Sequence, residues 1–261
     1  MSIIESMIKT YRLVYQVKAN YPLEIIVTTD LFHERLKLAN TNCDQAIVQA
    51  SKQELDDSQS LLVLPDNVDN HFYLLLHENL FDATQQYAQT IAYEYTRLID
   101  YAEIQKKYQI PNIRAAQFPD SACILFLSEA RAWYRGFSLY YNLTSVENKA
   151  VLFSYLCSTV PDYEPLLSYH LPAHMQALAE FYGQNLAISG YVNFDVSLPD
   201  YLNRHPIHEL LTAIRDNINN LSIFENFDTI NNAYEDYINH KSKDEKRHCH
   251  SHTCNNPNHH H

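Results

Sequence analysis

Between Asp82 and Lys107 a single apolar stripe recurs at helical spacing, through Ala88, Ile91, Ala92, Tyr95, Leu98, Ile99 and Ala102. Asp82 is placed to cap such a helix, with Gln85 three residues on completing a capping box, and Pro111 closes the segment. A helix this long needs a partner for its whole apolar flank, so the chain must fold around it. Glu94, Arg97 and Asp100 or Tyr101 fall on another flank.

Within that helix Tyr93 and Arg97 stand four residues apart and share a face, with Glu94 beside them. Histidines at those two positions would make the His-Glu-x-x-His motif, in which two ligands one turn apart hold zinc and the glutamate polarises bound water. With them in place, residues 91–101 would read Ile-Ala-His-Glu-Tyr-Thr-His-Leu-Ile-Asp-Tyr. That string resembles the active-site helix of the zincin-like metallopeptidases of phages and mobile elements of Gram-positive bacteria. Two flanking segments agree: His71 to Glu78 resembles the strand before that helix, and Ser128-Glu129-Ala130-Arg131-Ala132 lies in a second helix. The resemblance covers roughly residues 60–142 and implies Tyr93, Arg97 and Glu129 as former metal-ligand positions, with Glu94 at the general-base position. A histidine codon becomes tyrosine or arginine by one base change.

Arginine keeps its proton at any ordinary pH and tyrosine is a weak ligand, so Glu129 alone remains of the three ligands a catalytic site needs. His71 and His77 are conceivable substitutes near the preceding strand. The expectation is a metal-free site, zinc remaining an alternative. In it the Arg97 guanidinium pairs with Glu129, Glu94 or both, replacing the metal as a clasp between the two helices. The simpler alternative is a solvated Glu94–Arg97 pair worth a few tenths of a kcal/mol.

A net charge of −12 disfavours a nucleic-acid partner held through phosphates, and three glycines in 261 residues exclude glycine-rich phosphate loops. No run of 18 apolar residues exists and no signal-peptide pattern opens the chain, which suggests a soluble, cytoplasmic protein with no membrane partner. Five scattered cysteines fit a reducing compartment. Neither a Gly-x-Ser-x-Gly elbow nor a recognisable cysteine nucleophile is present, and the carboxylate pairs Asp56-Asp57 and Glu235-Asp236 sit in polar stretches.

In chain order, periodicity predicts a helix over 2–18, a strand at Leu23–Val27 and a short helix to about residue 39 capped by Thr28, Thr29 or, best placed of the three, Asp30. Further strands are expected at Gln45–Val48, Leu61–Leu64 and 71–77, giving about four before the central helix. A second long helix starts at Asp120 or Ser121 and carries Glu129 on a flank that looks buried. Helices follow at about 144–157, 172–188 with Gly190 as C-cap, 205–218 and 223–239, with a short strand or loop from Tyr191 to Val196. Strands first and helices after indicate an α+β domain over residues 1–240, zincin-like by the resemblance.

Residues 241–261 lack large apolar side chains and are expected to be disordered. His248, Cys249, His250, His252 and Cys254 offer metal donors at a spacing no structural zinc module uses; a low-complexity tail or a leftover tag is the alternative. The functional expectation is a catalytically inactive metallopeptidase homologue that binds a protein or peptide. The alternatives are an active zinc peptidase with non-standard ligands and an all-helical scaffold of other ancestry.

Overall fold

The apolar stripe folds as a 25-residue helix, Thr84–Tyr108, with Ala88, Ile91, Ala92, Tyr95, Leu98 and Ile99 buried along it. It lies at the centre of a computed structural model that describes residues 3–64, 71–82, 84–110, 118–143, 150, 151, 154, 172–192 and 207–251. In chain order these residues form α1 (Ile3–Val14), β1 (Leu23–Thr28), α2 (Leu31–Lys37), α3 (Asn42–Ala50), α4 (Lys52–Asp57), β2 (Ser60–Val63) and β3 (Phe72–His77). A 3-10 turn at Glu78–Asp82 leads into α5 (Thr84–Tyr108), followed by α6 (Ser121–Leu143), α7 (Pro172–Val192), α8 (Ile207–Asn217) and α9 (Phe227–Ser251). The fold is α+β and mostly helical, with one small mixed sheet.

The sheet has the order β1-β3-β2. β1 runs parallel to β3 with Leu23 opposite Phe72, and β2 runs antiparallel to it with Ser60 opposite Leu76. β3 is the central strand, so Leu74, Leu75 and Leu76 are all buried and the strand is an apolar run without alternation. At the start of α2 the Asp30 carboxylate accepts from the His33 amide at 2.8 Å, which makes Asp30 the N-cap its position suggests.

Several expectations are corrected. Gln45–Val48 lies in α3, capped by the Thr41 hydroxyl on the Asp44 amide, and not in a strand. The short apolar run misleads because only Val48 is buried, against Phe32, Ala39 and Leu55, while Ile47 stays exposed. Residues 52–57, polar in sequence, form α4 around buried Leu55, so among the described residues three strands precede the central helix. Asp82 ends the 3-10 turn that holds buried Leu80, and residue 83, between it and α5, lies outside the described residues.

Gly190 lies inside α7 and does not terminate it. No glycine of the described residues adopts positive φ, and a Cβ at Gly190 would meet no neighbour within 4 Å, so nothing there demands a turn. Gly183 is the demanding one: a Cβ would lie 2.4 Å from the Ala130 carbonyl oxygen, and its absence lets α7 close onto α6. α9 continues to Ser251, past residue 241 where disorder is expected from composition. It is anchored by buried Phe227, Ile230, Tyr234 and Tyr237, and the lysines and glutamate that follow favour helix. Of the strand or loop expected from Tyr191 to Val196, Tyr191 and Val192 belong to α7 and 193–196 lie outside the described residues, as do most of the helix expected at 144–157 and the donors His252 and Cys254. Among the described residues no helix is long and apolar enough to cross a membrane.

Candidate functional site

Two helices brought unusually close carry the site. At Gly136 of α6 a Cβ would stand 3.1 Å from the Gln89 carbonyl and 3.3 Å from the Tyr93 Cβ of α5, so the bare glycine sets Tyr93 against α6. The Tyr93 ring tilts against Trp133 with centroids 4.8 Å apart. From there the Tyr93 hydroxyl donates to Glu129 Oε1, and the Trp133 indole N–H donates to the same oxygen at 3.0 Å. One oxygen of the buried Glu129 carboxylate is therefore doubly satisfied by neutral donors.

Its other oxygen faces Arg97. Arg97 Nε lies 3.8 Å from Glu129 Oε2, an ion pair without a hydrogen bond, while Nη1 donates to Glu94 Oε2 at 3.2 Å and Nη2 to the Tyr101 hydroxyl at 3.3 Å. The guanidinium sits between two rings, 5.3 Å from the Tyr93 centroid and 5.4 Å from that of Tyr101. Glu94 is only 3% exposed, and its Oε1 accepts from the Ser60 hydroxyl at 2.8 Å, which ties β2 to α5. The solvated-pair alternative fails on this burial.

The charges are held by their surroundings. Burial raises the Tyr93 hydroxyl well above its ordinary pKa, with Glu129 and Glu94 adding to the effect and Arg97 opposing it. Burial works against the Arg97 charge, yet Tyr101, Glu94, Tyr93 and Glu129 together hold its pKa well above the usual value. Glu180 of α7 also senses this cluster: burial, then the Glu129 carboxylate, raise its pKa, and a hydrogen bond from Gln184 partly offsets them.

Tyr93, Glu94, Arg97 and Glu129, singled out from sequence, thus meet in one constellation. His77 does not join it. Its Nδ1 accepts from the Asn79 amide at 3.2 Å and its Nε2 reaches the Thr29 carbonyl at 3.1 Å, so both ring nitrogens are engaged at the end of β3. His71 is exposed just before that strand.

Zinc is a poor match for this donor set. Arg97 is a permanent cation at one ligand position, Tyr93 holds its proton at another, and both oxygens of Glu129 are already committed. Among the described residues no group of three or more His, Cys, Asp or Glu side chains is arranged to hold a metal ion.

One buried polar network escaped the sequence reading. Asp100, expected on a polar flank of α5, is fully buried with Arg131 Nε 3.3 Å from its Oδ2. Arg135, one turn beyond Arg131, donates to the Tyr11 hydroxyl at 3.0 Å and to the Asn220 carbonyl at 3.0 Å. Thr96 spends its own proton on the Ala92 carbonyl, so Tyr11 donates to Thr96 at 2.6 Å. The network joins α1, α5, α6 and the turn after α8. Its signal in the sequence is Ser128, Arg131 and Arg135 at spacings of three and four within an apolar helix, facing Thr96 and Asp100, themselves four apart.

No protein-family model, curated protein or solved structure matches this chain. The fold and site define a mostly helical α+β protein whose central helix pair is joined by a buried tyrosine–carboxylate–guanidinium cluster.

Proposed function

We propose that the chain is a catalytically inactive homologue of zincin-like metallopeptidases, acting as a protein- or peptide-binding or regulatory protein. The observation that carries the reading is the meeting of Tyr93, Arg97 and Glu129. Of the three positions that the resemblance assigns to metal ligands, Tyr93 and Arg97 lie one turn apart on α5 and Glu129 lies on α6, and they meet across the two helices with Glu94 alongside. Tyr93 and Arg97 satisfy the carboxylates that a metal would otherwise neutralise. A fixed cation in place of a divalent one keeps the helix pair closed and supplies no activated water.

The test is metal content of the full chain by mass spectrometry, beside Glu129→Ala. The reading expects no zinc that depends on Glu129; metal retained equally by both proteins belongs elsewhere, such as the His248 to Cys254 donors. Near-stoichiometric zinc lost in Glu129→Ala would instead favour an active peptidase with non-standard ligands.

A further inference from the structure

The last turns of α9 carry a second set of metal-type donors, separate in sequence from the α5–α6 cluster. Composition from Lys241 onward suggests a disordered tail, yet the helix runs on to Ser251. The helical backbone changes what these donors can do together. In an extended chain His248, Cys249 and His250 would be equivalent neighbours. On a helix each residue is turned by about 100° from the last, so one ion cannot take all three. Residues three and four apart share a face instead.

That register sorts the segment into two arcs. Asp244 stands four residues from His248, Glu245 four from Cys249, and Glu245 three from His248, so these four occupy one side of α9. Lys243, Lys246, Arg247 and His250 occupy the other, where three cations disfavour a further positive ion. The donor arc also continues the face on which α9 packs. Phe227, Ile230, Tyr234 and Tyr237 are buried and step along the helix by three and four. The same rhythm next falls on Lys241, Asp244 and His248. Packing of the first half of α9 therefore nucleates the register on which the donors are set out.

We propose that Asp244, Glu245, His248 and Cys249 form a binding site for one divalent transition-metal ion of borderline softness, zinc or its cobalt(II) analogue. Imidazole and thiolate select such an ion over magnesium or calcium, which take oxygen ligands. The two carboxylates complete a four-coordinate set and offset the charge of the ion. As the metal–sulfur bond forms, the Cys249 thiol proton passes to solvent. Among the described residues no three such side chains are gathered around one point, so the ion assembles the set from residues that the helix already places within reach. Tyr93, Arg97 and Glu129 take no part, and the site does not depend on the metallopeptidase reading.

The probe is cobalt(II) chloride titrated into the reduced full chain. A thiolate-to-cobalt charge-transfer band should saturate at about one ion per chain and be displaced by zinc. His248→Ala and Cys249→Ser should each weaken zinc binding more than about tenfold, and Cys249→Ser should abolish the band. His250→Ala should change neither. Lys246→Pro keeps every donor but breaks the helix between the two donor turns, so it should abolish the site while the melting of the core stays at the parent value. Absence of the band, or binding untouched by Lys246→Pro, overturns the proposal. So does loss confined to His252→Ala, Cys254→Ser or the joint change of His259, His260 and His261 to Ala, since the ion would then belong to those donors. Glu129→Ala should leave binding unchanged; loss there would assign the ion to the α5–α6 pair and count against this site and the inactive reading together.

Discussion

The Tyr93 hydroxyl donates to Glu129 Oε1 across the interface of α5 and α6, while Arg97, one turn further along α5, faces the other oxygen of the same carboxylate. The carboxylate is shared between a neutral donor and a cation, each presented by one helix to the other. Removing either partner leaves a different defect.

Arg97→Ala leaves Glu94 and Glu129 as buried carboxylates without their cation. The expected cost is about 3–5 kcal/mol, seen as a sharp fall in melting temperature and in the denaturation midpoint. Arg97→Lys should recover part of it, since it restores charge without the fork that reaches Glu94 and Tyr101 together. A parent-like melting curve for Arg97→Ala would show that the cluster is not a clasp.

Tyr93→His combined with Arg97→His should bind zinc. Two imidazoles one turn apart would face Glu129, released from Tyr93 and Arg97 and still held by the Trp133 indole, for three protein ligands. Mass spectrometry should find about one zinc per chain above parent, lost again when Glu129→Ala is added. No gain in zinc would argue against the proposed metallopeptidase relationship.

Gly183→Ala should be destabilising. The new methyl would lie 2.4 Å from the Ala130 carbonyl and 2.8 Å from the Trp133 Cβ, too close without a shift of one helix. Overpacking of this kind costs about 1–3 kcal/mol. Gly190→Ala, with open space at its Cβ, should be neutral or slightly stabilising. Equal melting temperatures for the two variants would contradict the close approach of α7 to α6.

Glu180 makes a pH-dependent contribution. Its folded pKa is raised above the unfolded value near 4.5, so the folded state binds its proton more tightly. The associated stability is present below that value and is lost as pH rises through the folded pKa. Glu180→Gln keeps a carbonyl oxygen for Gln184 and removes the charge beside Glu129. It should raise the melting temperature at pH 7 more than at pH 4; an equal shift at both would rule the charge out as the cause.

At high pH the buried tyrosines should act together. Burial pushes Tyr21, Tyr87, Tyr234 and Tyr237 up to about 12, against 10.0 in the unfolded chain. The protonated phenols therefore stabilise the fold below pH 10, and that stability falls as pH rises from 10 towards 12. Ultraviolet titration should show a late, cooperative fraction of phenolate that appears with unfolding. Smooth ionisation centred on pH 10 would contradict their burial.

The sequence alone determined the elements whose side chains repeat at a fixed spacing. The stripe from Ala88 to Ala102 gave α5, the β-branched run at Leu23 to Val27 gave β1, and Asp30 marked its own helix start, because each signal is local. The α+β class was legible from the order of strands and helices; Tyr93, Glu94, Arg97 and Glu129 were singled out by the resemblance, and the structure brings the four together. Gln45–Val48 was misread because four apolar or neutral residues fit strand or helix equally until Val48 finds Phe32 and Leu55. What only the tertiary structure decided is which polar residues go inside. Asp100 falls on a second flank of α5 until α6 brings Arg131 within 3.3 Å, and for Glu94 the choice between a clasp and a solvated pair stays open until β2 delivers Ser60. A buried charge is tolerable only where a partner from elsewhere in the chain meets it, and spacing along one helix carries no record of that partner.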